Sequence, residues 1–253
     1  MLSFRKWKKI KKEEWRKNAQ FWIKILSQKL DPFREEITYK AILKFFKNKK
    51  RLKVLELGCG EGTLSRKVAK MGHQVFALDQ AEKLIEKAKK EEEKKPLGIK
   101  YFCKDATDLS FLPKNFFDIV FSHHFINEVL IPEKVIKETR KVLKKKGEMI
   151  SLFLHPCFDL FSKKLKEKFN IIAYFSKKIL KRKFLVSGIL SPADVTYIHL
   201  PLEKWISIFS KNGFLIKNIF EPHPSLKKLK EDKFFRENFE YPLFILIEAQ
   251  KED

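Results

Sequence analysis

One short run limits what this chain can become: Val54-Leu55-Glu56-Leu57-Gly58-Cys59-Gly60-Glu61-Gly62, an apolar strand pattern that ends in three alternating glycines. Glycines at such a strand-to-helix turn let a ligand approach the backbone closely, and the N-terminus of the following helix favours a polar group. Twenty-one positions after Gly58, Asp79 closes the next apolar run. A carboxylate there can accept hydrogen bonds from ribose hydroxyls, so loop and acid together select an adenosine-type ligand. The dinucleotide form of the loop requires G-x-G-x-x-G, but Thr63 stands where its last glycine belongs. No Gly-Lys-Ser/Thr follows the loop either, which removes the Walker A phosphate cradle.

The pattern around this loop repeats. Strands are expected at Leu52–Leu57, Gln74–Leu78, Ile99–Cys103, Phe117–Ser122, Met149–Leu154, Phe214–Phe220 and Pro242–Ala249, with helical spacing of apolar residues between most of them. Alternation of this kind implies an α/β fold: a Rossmann-like, doubly wound, seven-stranded, mostly parallel sheet. Two helices precede it, one over Ala19–Leu30 and one marked by Ala41, Ile42, Phe45 and Phe46. Basic and aromatic residues mixed over Phe158–Ile189 break the pattern and read as a cap inserted after strand five. The expected organisation is one domain, 1–253, with N-terminal helices over 1–50, a cofactor-binding core over 51–155, the cap over 156–200 and the rest of the sheet over 201–253.

The sequence resembles the class I S-adenosylmethionine-dependent methyltransferases. Val54 to Gly62 is similar to their first motif and Phe76-Ala77-Leu78-Asp79 to their second. Lys104-Asp105-Ala106 looks like the segment that contacts adenine, and Phe116 to Ser122 like the strand that ends beside the methyl group. At the chain's ends, Trp15, Ala19 and Trp22, His155-Pro156-Cys157-Phe158, His199-Leu200-Pro201 and Glu221-Pro222-His223-Pro224 resemble the type 11/25-like subgroup with small-molecule acceptors. The resemblance implies S-adenosyl-L-methionine as cofactor, bound by Glu56, Gly58, Cys59, Gly60, Gly62, Asp79, Gln80, Asp105, Ala106, Ser122 and Trp22. Trp22 has two readings, a core residue on a helical face or an aromatic lid over the sulfonium.

The cofactor brings most of the reactivity in such enzymes, and the protein must align an acceptor for in-line displacement. A base helps if the acceptor is a hydroxyl or an acidic carbon, and imidazole titrates in the useful range. His123, after strand four, and His155, after strand five, are the catalytic candidates at the carboxyl edge of the sheet. His124 is a candidate for acceptor binding, and Tyr197, His199 and Glu221 are placed in that role by the resemblance alone. Their alternative is a structural role, bonding loop backbone. Ser122-His123-His124-Phe125 stands where base-amine methyltransferases carry Asn/Asp-Pro-Pro-aromatic, and Cys157 reads as structural.

The net charge of +23 brings in polyanions as partners, because such a field acts over long range. Lysine carries nearly all of it: arginine appears at only eight positions, whereas phosphate and base-edge recognition favours the guanidinium. The acceptor expected is a small molecule, apolar or lipid-like, seated under the cap with its Phe158, Leu160, Phe161, Leu165, Phe169, Ile172 and Phe175. The rival readings are an RNA methyltransferase using the basic surface and a cofactor-binding protein without turnover. The cap could also rest peripherally on an anionic membrane. No secretory signal and no long uncharged apolar segment are evident, which points to the cytoplasm. Cys59, Cys103 and Cys157 lack metal or disulfide spacing, so thiols and no metal are expected; oligomeric state has no signal.

Overall fold

In the computed structural model, residues 3–49, 51–158 and 174–253 are described. Leu160, Phe161, Leu165, Phe169 and Ile172 of the expected cap lie outside them. The N-terminal helix is much longer than its apolar spacing suggested: α1 runs Phe4–Ser27, with Ser3 as N-cap accepting from the Lys6 amide at 3.3 Å. Its inward face carries Trp7, Lys11, Asn18, Ala19, Trp22 and Ile25. After Pro32 comes a π-helical segment, Arg34–Thr38, which leads into α2, Tyr39–Leu43. The second expected helix is therefore composite, ending in a single 3₁₀ turn at Lys44–Phe46.

The sheet is the expected one. Strands β1 (Lys53–Leu57), β2 (Gln74–Asp79), β3 (Lys100–Cys103), β4 (Phe117–His123) and β5 (Leu143–Leu154) join two late strands, β10 (Phe214–Phe220) and β11 (Phe244–Lys251). Their spatial order is β10-β11-β5-β4-β1-β2-β3, with β11 antiparallel to both neighbours and the β1–β5 pairs parallel. Neighbouring residues of a strand serve opposite faces. Leu55 and Leu57 pack in one apolar cluster with Phe76, Val120 and Trp205; Val54 packs in the other with Val75, Val68 and Ile85. Helices α3 (Thr63–Ala69) and α4 (Glu82–Lys94) serve the second face, and α5 (Pro132–Val142) with α6 (Leu202–Ser210) the first. Burial on both faces explains why these strands read as apolar runs rather than alternating ones.

Three further regions depart from the expectation. Strand β5 begins at Leu143, six residues early, because a register shift against β4 between Phe117 and Ile119 accommodates the turn at Lys146, φ +56°. The described end of the cap is β structure: β6 (Lys178–Arg182) pairs with β9 (Val195–His199), and β7 (Leu185–Val186) with β8 (Ile189–Leu190). The loop expected between the last two strands contains helices α7 (Leu226–Glu231) and α8 (Lys233–Asn238), which bury Phe235 in the core.

Candidate active site

The order of strands reverses between β1 and its neighbours β2 and β4, so chain connections diverge there and leave a crevice at the carboxyl ends. The glycine loop fills the mouth of β1. Gly58 has φ +71° and Gly62 has φ +86°, conformations that L side chains rarely adopt, and Gly62 opens α3. Asp79, at the end of β2, reaches across: its Oδ2 accepts from the Gly60 amide at 2.9 Å and its Oδ1 from the Ala81 amide at 2.8 Å. The carboxylate thereby ties the second strand to the loop.

A cavity of about 110 Å³ lies over this junction. Of the expected cofactor residues, Glu56, Gly58, Cys59, Gly60, Asp79, Gln80, Asp105, Ala106 and Trp22 line it. Gly62 lies behind the loop, where a Cβ would meet the Tyr101 hydroxyl. Ser122 does not reach the cavity either; its buried hydroxyl bonds Ser151 at 3.2 Å between β4 and β5. Asp105 receives an ion pair from Lys8 of α1 at 2.7 Å and caps its own loop through the Thr107 amide. Burial alone would push its pKa up, but these bonds overcome that and hold it below the usual range.

The buried carboxylates define the site's charge. Glu56 accepts from the Ser65 hydroxyl, yet burial and the neighbouring Glu61 and Asp79 push its pKa up to about 8. Burial also raises Glu61 and Asp79. Lys8 is committed to Asp105, Lys11 to Glu128 at 2.7 Å and Arg34 to Asp31 at 3.1 Å. Glu56, Glu61 and Asp79 have no ion-pair partner among the described residues, and the Glu61 Oε1 atom is buried with no hydrogen bond. A cationic ligand relieves that arrangement and an anionic one aggravates it.

A second cavity, about 440 Å³, adjoins the first. Trp15, Trp22, Arg34, His124 and Glu128 line both. Its far walls are aromatic and aliphatic, among them Phe33, Leu154, Phe234 and Phe244, and the described end of the cap closes it with Arg182, Phe184 and Val186. Asn127 and Trp22, both lining it, each carry a buried polar atom without a partner among the described residues, Oδ1 and Nε1.

The histidines separate by what their rings already do. His123 lines the first cavity, but Arg34 donates to its Nδ1 at 3.2 Å and its Nε2 meets Thr38 Oγ1 at 2.8 Å. His155, expected at the acceptor pocket, lines neither cavity. Its Nε2 pairs with Glu221 at 2.9 Å and its Nδ1 accepts from the Cys157 amide at 3.2 Å, so it anchors the turn after β5. His199 and Glu221 line neither cavity: His199 Nε2 bonds the Tyr174 carbonyl at 2.9 Å. Tyr197 lines the second cavity, its hydroxyl accepting from Arg182 Nε at 2.8 Å. Trp22 does present an aromatic face to a cation, but that cation is Arg34, 4.5 Å from the ring centroid.

Arg34, Glu61, Lys11 and Glu128 were not singled out by sequence reasoning. Arg34 carried one signal: it is a rare arginine in a lysine-rich chain and lies three residues after an aspartate. The three cysteines are free thiols, and among the described residues no group of His, Cys, Asp and Glu could hold a metal ion. No described helix is long and apolar enough to cross a membrane.

Comparison with known proteins agrees with this geometry. Residues 55–151 match a family model described as a methyltransferase domain, type 11. A ubiquinone biosynthesis O-methyltransferase from Pelagibacter ubique is 34% identical over 150 residues, 57% of this chain and 60% of that protein. One of the same name from Coxiella burnetii is 30% identical over 156 residues, 58% of this chain and 66% of that protein. The aligned part of this chain thus spans less than two thirds of either relative. A Listeria monocytogenes protein, crystallised as an S-adenosylmethionine dependent methyltransferase, superposes with a TM-score of 0.69 at 25% identity, covering 85% of this chain and 97% of that one. The glycine loop, the acid closing β2 and these likenesses agree: residues 55–151 form a methyltransferase domain of the type 11 group, on the fold of S-adenosylmethionine-dependent methyltransferases.

Proposed function

We propose that this protein transfers a methyl group from S-adenosylmethionine to a hydroxyl oxygen of a small, largely apolar molecule held in the second cavity. The observation that carries the reading is the meeting of the two cavities at Trp15, Trp22, Arg34, His124 and Glu128, which brings a nucleoside site and an apolar pocket edge to edge. The cofactor suits the first cavity by charge: its sulfonium and ammonium outnumber its single carboxylate, and Glu61 and Asp79, with no ion-pair partner among the described residues, favour a cation. When bound, it supplies a methyl group on a positively charged sulfur. Asp79, whose carboxylate oxygens can each accept a further bond, would hold the ribose hydroxyls, and Glu61 Oε1, without a hydrogen bond among the described residues, has capacity for an ammonium.

The second cavity falls within the size range of small-molecule sites and has their composition, aromatic walls with a few polar groups. Its unpaired Asn127 Oδ1 and Trp22 Nε1 supply an acceptor and a donor for a polar head. Oxygen as the methylated atom is supported by the O-methyltransferase names of the two bacterial relatives. The test is transfer of a tritiated methyl group to alkylphenols and, separately, to total RNA. Label on the phenols and none on RNA supports the reading; label on RNA alone replaces it with a nucleic-acid activity that uses the basic surface.

A further inference from the structure

We infer that His124 is the general base that takes the proton from the acceptor hydroxyl, and that neither His123 nor His155 does so. The inference rests on the proposed methyl transfer to oxygen and assigns the proton in that reaction. Three independent observations place the base. The His124 ring lines both cavities, so it stands where acceptor and methyl group would meet. No hydrogen bond occupies its ring nitrogens among the described residues, in contrast to both nitrogens of His123 and of His155.

The third observation is the backbone. His124 has φ +53°, the left-handed region that a non-glycine residue enters at a cost of about 1 to 3 kcal/mol. Its amide bonds the Leu152 carbonyl at 2.8 Å, which fixes the turn. Strained backbone of this kind persists where the surroundings over-determine it, and here it swings the ring off the end of β4 toward the junction. The ring is steadied by His123, centroids 4.3 Å apart, and by Phe244 at 5.3 Å. Burial and then the positive Arg34 keep the imidazole neutral, the form able to accept a proton.

The step balances as follows. The acceptor O–H gives its proton to a His124 ring nitrogen; the oxygen forms a bond to the methyl carbon while the sulfur–carbon bond breaks and its electron pair goes to sulfur. The imidazolium, next to Arg34 and therefore disfavoured, returns the proton to water through the second cavity. Arg34 acts as a positioning residue: it engages His123, so that His124 alone of the pair stays available.

The experiment uses two acceptors with the same apolar body and different acidity, 4-tert-butylphenol and 4-tert-butyl-2-nitrophenol. The variant is His124→Asn, since asparagine tolerates the left-handed backbone. Wild type and variant are expected to bind S-adenosylhomocysteine equally. Transfer by the variant should fall about 100-fold or more on the weakly acidic phenol and only a few-fold on the nitrophenol, which is already ionised near neutrality. His123→Gln should slow both acceptors alike. An equal loss on both phenols in His124→Asn, no loss on either, or a wild type that binds S-adenosylhomocysteine but methylates neither phenol would overturn the assignment. A wild type that fails to bind S-adenosylhomocysteine overturns the proposed function itself.

Discussion

The Arg34 guanidinium lies 4.5 Å from the Trp22 ring centroid, and from that position it pairs with Asp31 and donates to His123. One side chain so joins the π-helical segment, α1 and the end of β4. Replacing it removes a stacking contact, an ion pair and a hydrogen bond together. Arg34→Ala should lower stability by about 1 to 3 kcal/mol in chemical denaturation. Arg34→Lys should recover less than half of that, because an ammonium lacks the planar fork that stacks and bonds at once.

The glycine loop offers a graded test of backbone constraint. At Gly58, φ +71°, a Cβ would come within 2.5 Å of the Phe125 ring, which packs against the core. At Gly60, φ +57°, a Cβ would meet nothing within 4 Å. Gly60→Ala should cost about 1 to 2 kcal/mol from its backbone angle alone. Gly58→Ala pays the same strain plus the clash, and its melting temperature should fall clearly further.

Glu56 predicts a pH dependence. Its pKa is raised from 4.5 to about 8, chiefly by burial, so between those values the folded protein holds a proton that the unfolded chain has released. Stability from this group is complete below the lower value and is lost as pH rises toward 8. In Glu56→Gln the side chain does not titrate. The stability of the variant minus that of wild type should therefore grow between pH 5 and pH 8, by on the order of a few kcal/mol. A difference that is flat across this window would place the Glu56 carboxyl in water.

The core of the site was legible in the sequence because it is local: β1, the glycine turn, α3 and β2 occupy one stretch from Lys53 to Asp79, and strand and turn periodicities report it directly. What sequence could not show depends on distant partners. Lys11 is 2% exposed, buried because Glu128, Glu14 and the Thr196 carbonyl surround its ammonium, and a lysine in a basic run reads as solvated. That misreading shortened α1 by about four turns. His123 and His124 are adjacent and chemically identical; which one faces the cavities unengaged depends on a left-handed turn and on Arg34, eighty-nine residues from His123. Likewise the short strands of the cap show no clean alternation: in β6 the basic residues Lys178, Lys181 and Arg182 fall on both faces, and β7 and β8 have two residues each, too few to carry a period.

The central claim is that Asp79 and the glycine loop form a nucleoside site. Isothermal titration with S-adenosylhomocysteine measures it directly. Binding by the wild type, weakened at least about tenfold in Asp79→Ala through loss of about 1.4 kcal/mol or more, is the predicted result. No heat from the wild type at millimolar ligand, or equal affinity in the two proteins, would contradict it.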